Sequence, residues 1–214
     1  FGGQQPVAHS SISPLDRIYS KSVPVYNYDA DKASDLLNSA GWSILRDGVR
    51  HNTDGHRLSF TLMTTAGNKS RELVQQVLQS QWLESGIEAL IRNEPARVFF
   101  GETMAKRTNQ GISMYAWISA PESLPRTTLR SDNIPSESNG WSGQNYPGYS
   151  NPRMDDLVDS IEIELDPSKR MPLWADFQLL YATDLPALPL FFRAEAYFFP
   201  KWLKGVRPTG HLST

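Results

Sequence analysis

Residues 58–91 read LSFTLMTTAGNKSRELVQQVLQSQWLESGIEALI. Leu58, Phe60 and Leu62 alternate with smaller or polar residues, the two-residue period of a strand with one buried face. From Ser70 to Ser85 the period changes. Leu73, Val74, Val77, Leu78 and Trp82 recur at helical spacing on one side. Gly86 supplies a stop, and Ile87 to Ile91 reads as a second strand. Two parallel strands cannot be joined by a tight turn, so a strand–helix–strand run of this length predicts a parallel pair with its crossover helix on one face. The expected fold class is α/β, a mixed sheet flanked by helices.

On the N-terminal side of this unit, Asp47-Gly48 and Asp54-Gly55 are two turn signals, and the strand through Leu58, Phe60 and Leu62 is expected to follow a hairpin there. Asp29 offers an N-cap to a helix over Lys32 to Ala40, with Ala33, Leu36, Leu37 and Ala40 on one face and Gly41 as its stop. Residues 1–28 are rich in Pro, Ser and Gly and read as an extended leading segment. On the C-terminal side, a helix is expected over Ala96 to Arg107 through Val98, Phe99 and Met104. Ile112 to Trp117 follows as a short strand. Residues 118–150 then hold Pro121, Pro125, Pro135 and Pro147 among many Ser and Asn, a long loop of the kind that is usually functional. Helices are expected near Pro152–Leu165 and Pro167–Asp184, each with proline at an early position. The second carries Leu173, Trp174, Phe177, Leu180 and Tyr181 as a stripe. Leu188 to Phe192 and Ala196 to Phe199 read as buried strands. No internal repeat or linker divides the chain, so residues 1–214 are read as one domain.

Composition narrows the function. Hydrophobic residues make up 39% and charged residues 21%, the balance of an ordinary folded domain rather than a disordered or membrane-embedded chain. The formal net charge of -2 gives no reason to expect a nucleic-acid partner. No run of about 18 apolar residues predicts a membrane span. The absence of cysteine removes disulfides, thiolate metal sites and a cysteine nucleophile together. The start, Phe1-Gly2-Gly3, is not a natural initiation and suggests processing or a cut, and Thr209 to Thr214 also looks like an interruption; no signal peptide is visible.

Motifs for bond chemistry are missing. His51 and His56 flank a tight turn and would need a further donor to hold a metal, so they read as solvated hairpin residues, as His9 and His211 offer no cluster. There is no dinucleotide or phosphate-binding glycine loop. Ser142, in Trp141-Ser142-Gly143, lacks the strand-to-helix elbow of a serine hydrolase. Asp155, Asp156, Asp159, Glu162 and Glu164 crowd one helix beside Leu157, Val158 and Ile161, which predicts a wet face opposite a core face rather than a catalytic carboxylate pair. No cofactor is implied.

Aromatic residues carry the positive signal. Trp82 and Trp174 sit in helix stripes and read as core. Tyr115 and Trp117 end a strand that empties into the long loop, and Trp141, Tyr146 and Tyr149 lie in that loop with Gln144 and Asn145. Aromatic faces beside amides suit a site for an extended polymer such as a peptide.

Several segments, in order, resemble family 5 solute-binding proteins, the dipeptide/oligopeptide-binding proteins of ABC importers. Tyr28-Asp29-Ala30-Asp31-Lys32-Ala33 through Leu36-Leu37-Asn38-Ser39-Ala40-Gly41-Trp42 is similar to the family's helix pattern. Asp54-Gly55-His56-Arg57-Leu58 is similar to its hairpin. Gly143-Gln144-Asn145-Tyr146-Pro147-Gly148-Tyr149 with Asn151 and Asp155 is similar to its loop-to-helix stretch, and Asp184-Leu185-Pro186-Ala187-Leu188-Pro189-Leu190 to its return strand. Together these matches span residues 28–190.

The resemblance implies the second lobe of a type II periplasmic-binding-protein fold, with the main part of the first lobe before Phe1. Residues 1–15 and about 193–214 would be crossover segments toward that missing first lobe. It implies a binding role and no enzyme activity, a peptide or other small solute as ligand, an ABC permease as membrane partner, and a periplasmic or other extracytoplasmic location. A hydrolase or a signalling module on the same lobe is the alternative. The candidate ligand-binding residues are Tyr115, Trp117, Glu122, Asn145, Tyr146 and Tyr149. Relatives that grip a peptide's amino terminus carry Asp three residues after the Trp that matches Trp117. Here that position is Ala120, which offers an ammonium no charge-assisted bond, leaving Glu122 as a displaced substitute.

Overall fold

Ser59–Met63 (β3) pairs in parallel with Glu88–Ile91 (β4), and Lys69–Glu84 (α2) is the crossover between them. The expected strand–helix–strand unit is therefore present. The computed structural model describes residues 3–194 and 196–207. They fall into two compact units, Asn27–Trp117 and a second made of Phe1–Tyr26 with Ile118–Thr214.

The Asn27–Trp117 unit begins with Ala30–Ser39 (α1), where the Asp29 side chain accepts from the Lys32 amide as an N-cap. Ile44–Arg46 (β1) and Val49–His51 (β2) form an antiparallel hairpin. Asp47 and Gly48 have φ of 49° and 77°, the two left-handed residues that a tight hairpin turn needs. After β4, Ala96–Val98 (α3) runs on as a π-helical turn over Phe99–Met104, so the helix expected here is short and widened. Gly111–Ser113 (β5) pairs in parallel with β3, giving the order β4-β3-β5. A Cβ on Gly111 would lie 2.3 Å from the Thr61 carbonyl oxygen, so glycine lets β5 approach β3. Arg50 ties the parts together. Its guanidinium donates to Ser34, Asn38, Trp42 and Ser85, on α1, the hairpin approach and the end of α2.

Helix α2 packs differently from its apolar pattern. Val74, Leu78 and Trp82 are half-buried, and the Trp82 ring meets Phe60 edge-on at 5.5 Å. Leu73 and Val77 are 54% and 49% exposed, and the one fully buried residue of the helix is Gln75. The buried face is set by Gln75 and Gln79, whose amides donate to the Leu62 and Ala89 carbonyls of the sheet.

In the other unit, Arg126–Leu129 (α4) and two single 3-10 turns occupy part of the stretch expected to be structureless. Pro152–Ile163 (α5) and Pro167–Asp184 (α6) follow, capped by the side chains of Asn151 and Asp166. Their core joins Met154, Val158 and Ile161 of α5 to Trp174, Phe177 and Tyr181 of α6, with Leu129, Ile12 and Ile18. Burying a side chain such as Phe177 contributes about 1.5–3 kcal/mol. The leading segment docks through Gln178, which is fully buried and donates to the Ile18 carbonyl while its Oε1 accepts from the Ser20 amide.

The two strands expected near the C-terminus do not form. Phe191 makes one antiparallel bridge with Val7. Ala196–Phe199 has no strand structure, and Phe198 is 92% exposed. An apolar run satisfies a strand pattern without specifying a partner strand. Residues 208–214, part of the expected crossover segment and including His211, lie outside the described residues.

Candidate functional site

Tyr115 and Trp117 lie just past β5, because pairing ends early: Met114 donates to the Met63 carbonyl and the ladder stops there. The Tyr115 ring sits edge-on to Phe100 at 5.7 Å, Phe99 at 6.2 Å and Trp117 at 5.6 Å. Such edge-to-face pairs contribute about 0.5–1.5 kcal/mol each beyond the area they bury. Phe99 is fully buried at the base of this stack, whereas Trp117 is 48% exposed at its outer end. The π turn and β5 thus hold an indole outward on a rigid aromatic base.

Glu122, Asn145, Tyr146 and Tyr149 belong to the other unit. Glu122 has a left-handed backbone, φ 53°, and its amide donates to Asp16. Its carboxylate is paired with Arg17 and lies 3.8 Å from Arg170. Asn145 is fully buried. Its Nδ2 donates to the Arg130 and Tyr149 carbonyls, and its Oδ1 accepts from the Tyr149 amide. The Tyr149 hydroxyl donates to Asp184 at 2.6 Å, and Asn151 donates to the same oxygen. Burial, then the Asp184 carboxylate, pushes the Tyr149 phenol well above its ordinary range. Burial also raises Tyr146. Gly143 lets this loop close on itself, since a Cβ there would sit 2.1 Å from the Asn133 carbonyl oxygen. The structure therefore brings Tyr115 to Trp117 and Asn145 to Tyr149.

The acidic face of α5 is not simply wet. Asp155 accepts from the Ser131 amide and hydroxyl. Asp159 is clasped by Arg130 and Arg126, which lower the pKa of its carboxyl to about 2, and Glu162 also pairs with Arg126. These carboxylates fasten the 126–131 segment to the helix. Helical spacing identified their common face but carried no information about the arginines opposite.

One polar group escaped the sequence reading. At the carboxyl ends of β3 and β4, Asn93 Oδ1 accepts from the Thr64 amide at 3.1 Å and from Gln75 Nε2 at 2.9 Å. Thr64 and Gln75 are both fully buried. The only signal was a glutamine inside an apolar helix pattern. On the other face of β3, a polar cavity of about 160 Å³ is lined by Thr61, Arg92, Glu94, Thr103 and Asn109, among others. Glu94 accepts there from Thr103 at 2.6 Å and pairs with Arg92. His51 and His56 are hairpin residues bonded to Val49 and Asn52. Among the described residues, no group of three or more His, Asp or Glu side chains is placed to hold a metal ion.

Residues 1–134 match the family described as bacterial extracellular solute-binding proteins, family 5 Middle. The oligopeptide-binding protein AppA of Bacillus subtilis is 42% identical over 89 residues, covering 40% of this chain and 16% of that protein. Di/tripeptide-binding protein 2 of Pseudomonas aeruginosa is 26% identical over 196 residues, 89% of this chain and 33% of its own. The oligopeptide-binding protein of Thermus thermophilus, solved with a pentapeptide, superposes with a TM-score of 0.83 at 33% identity, over 90% of this chain and 34% of that one. AppA in complex with a nonapeptide gives 0.77 at 26% identity, over 89% and 37%. The chain thus spans about a third of the length of these structural relatives. Because the family match covers more than half of its residues, this chain belongs to family 5 of the bacterial extracellular solute-binding proteins.

Proposed function

We propose that this chain is one lobe of an extracytoplasmic binding protein that captures peptides or peptide-like solutes for an ABC importer. The observation that carries this is the likeness to the Thermus pentapeptide complex over 90% of the chain. In this reading the lobe forms one wall of a cleft, and closure against a first lobe traps the solute by hinge motion. Trp117, on its Tyr115–Phe100–Phe99 base, supplies an apolar face to the solute. The antiparallel contact of the leading segment with the return segment, Ala8 to Leu190 and Phe192 to Pro6, suits a pair of crossover strands leaving for that first lobe. A membrane permease receives the closed form. Capture and release need no bond-making step, so the protein is read as a binder and not an enzyme.

Glu122 does not act as a free anion for a peptide ammonium in this reading, because Arg17 and Arg170 neutralise it. Ala120 offers no charge either. Solutes are held through side-chain faces and main-chain polar groups, so blocking a peptide's amino terminus costs little affinity. The test is a calorimetric screen of the full-length protein against peptides, opines, sugars and metal chelates. Binding of a peptide, weakened about tenfold or more by Trp117→Ala as for a central aromatic anchor, is expected. Unchanged binding in that variant refutes the site. Turnover of a peptide or ester, abolished by one Ser or Asp substitution, refutes the non-enzymatic role.

A further inference from the structure

The connections out of β3 and β4 part to opposite faces of the sheet. Along β3, Phe60 and Leu62 face α2, where Phe60 meets Trp82 and Gln75 reaches the Leu62 carbonyl. Thr61 and Met63 point the other way, into the cavity that Thr103 of the π turn also lines. β4 lies on one side of β3 and β5 on the other. The carboxyl ends of β3 and β4 therefore form a topological switch point, the place where open α/β sheets take their ligands.

Asn93 stands at that point, half-buried, with an amide whose orientation is determined by its neighbours. Its Oδ1 must be the atom facing Thr64 and Gln75, since both partners are donors. Gln75 cannot turn around either, because its Nε2 also donates to the Leu62 carbonyl. The Asn93 Nδ2 is consequently directed away from this network, and it has no hydrogen-bond partner among the described residues. The lock has a cost. Gln75 Oε1 is buried with no partner, and a buried acceptor left unsatisfied destabilises the fold. Leucine or methionine would fill the position without it. What the glutamine accomplishes is to fix Asn93, and rule-breaking of this kind concentrates at functional sites.

Resting on the solute-binding reading, we propose that Asn93 is a further solute-contacting residue of this lobe. Its Nδ2 donates to a main-chain carbonyl oxygen of a peptide-like solute, and Gln75 is the residue that positions it. A neutral, preoriented donor suits a carbonyl, which recurs along every peptide whatever its side chains. Recognition of this kind is tolerant of sequence and independent of terminal charge.

Two variants separate the contact from the fold. Asn93→Asp keeps an acceptor for Thr64 and Gln75 but replaces the donor with an oxygen that repels a carbonyl. Gln75→Leu removes the orphaned oxygen while leaving the Leu62 carbonyl its ladder bond from Arg92. The probe is a randomised pentapeptide pool, both free and with blocked termini, measured by calorimetry on the full-length protein beside its melting temperature. We expect Asn93→Asp to fold and to bind both pools at least about tenfold more weakly. Gln75→Leu should melt at the same or a higher temperature and still lose affinity, a split that a purely structural role does not produce. If the unsubstituted protein binds and both variants bind within twofold of it, the inference is wrong while the function stands. If the unsubstituted protein binds neither pool, the function fails and the inference falls with it.

Discussion

Replacing Asn145 by alanine separates architecture from recognition, because sequence placed this residue among the ligand contacts and the structure surrounds it with main chain. The side chain is fully buried and makes three hydrogen bonds, to the Arg130 carbonyl, the Tyr149 carbonyl and the Tyr149 amide. Each partner left unsatisfied costs about 1–3 kcal/mol. The surroundings are partly buried, so water recovers some of this, and about 3–5 kcal/mol remains. For a chain of this size each kcal/mol lowers the melting temperature by about 2–4 °C, so Asn145→Ala should melt roughly 10 °C lower. Asn145→Asp should be worse near neutral pH. It retains the acceptor for the Tyr149 amide but sets a carboxylate oxygen against two carbonyls, which raises the folded-state pKa of the new acid above its unfolded value. Its deficit is therefore full at high pH and shrinks on acidification through that raised value, as the protonated acid regains one donor. Urea unfolding followed by circular dichroism, across pH, measures both effects. Calorimetry on the folded protein measures solute affinity. An Asn145→Ala variant that melts within about 1 °C of the parent yet no longer binds solute refutes this reasoning.

Arg50→Met keeps the aliphatic stem and removes four donors that join α1, the hairpin approach and the end of α2. Part of this site is exposed, so a loss of about 2 kcal/mol is expected rather than the sum of four charge-assisted bonds. Hydrogen exchange should quicken first in α1, and uniform quickening through the sheet counts against this role. Asp159 has its carboxyl lowered from 3.8 to about 2, by Arg130 first and Arg126 next. Stability from a depressed carboxylate is present above the unfolded value and lost as pH falls through the folded one. The melting-temperature gap between the parent and Asp159→Asn should hold near neutrality and close between about pH 4 and pH 2. A gap that persists to pH 2 excludes the ion pair as its source.

The parts of the fold that were legible depend on near neighbours in the chain. Asp29 caps α1 three residues ahead, Asp47-Gly48 turns the hairpin, and Pro152 and Pro167 open α5 and α6. Each is a local backbone problem with a local answer. The stripe on α6 was also legible, because Trp174, Phe177 and Tyr181 are too large and apolar to leave that face in doubt. On α2 the same method misplaced the face. Leu73 and Val77 fit the helical period, but the period is equally consistent with a face turned so that Gln75 and Gln79 reach strand carbonyls. Whether a glutamine is worth burying depends on main chain that only the folded sheet supplies. The site divided along the same line. The rigid aromatic base under Trp117 was half visible, since Tyr115 and Trp117 alternate on one strand end, while Phe99 and Phe100 come from a π turn with no distinct period. Glu122 looked like a free anion because its partners are remote in sequence, Arg17 before it and Arg170 after it. Asn93 was signalled only indirectly, by the glutamine inside the apolar pattern of α2, for its orientation depends on Thr64 and Gln75. A residue's composition and spacing report what it is able to bond. Only the bonds its neighbours have already taken reveal which atom is left for a solute.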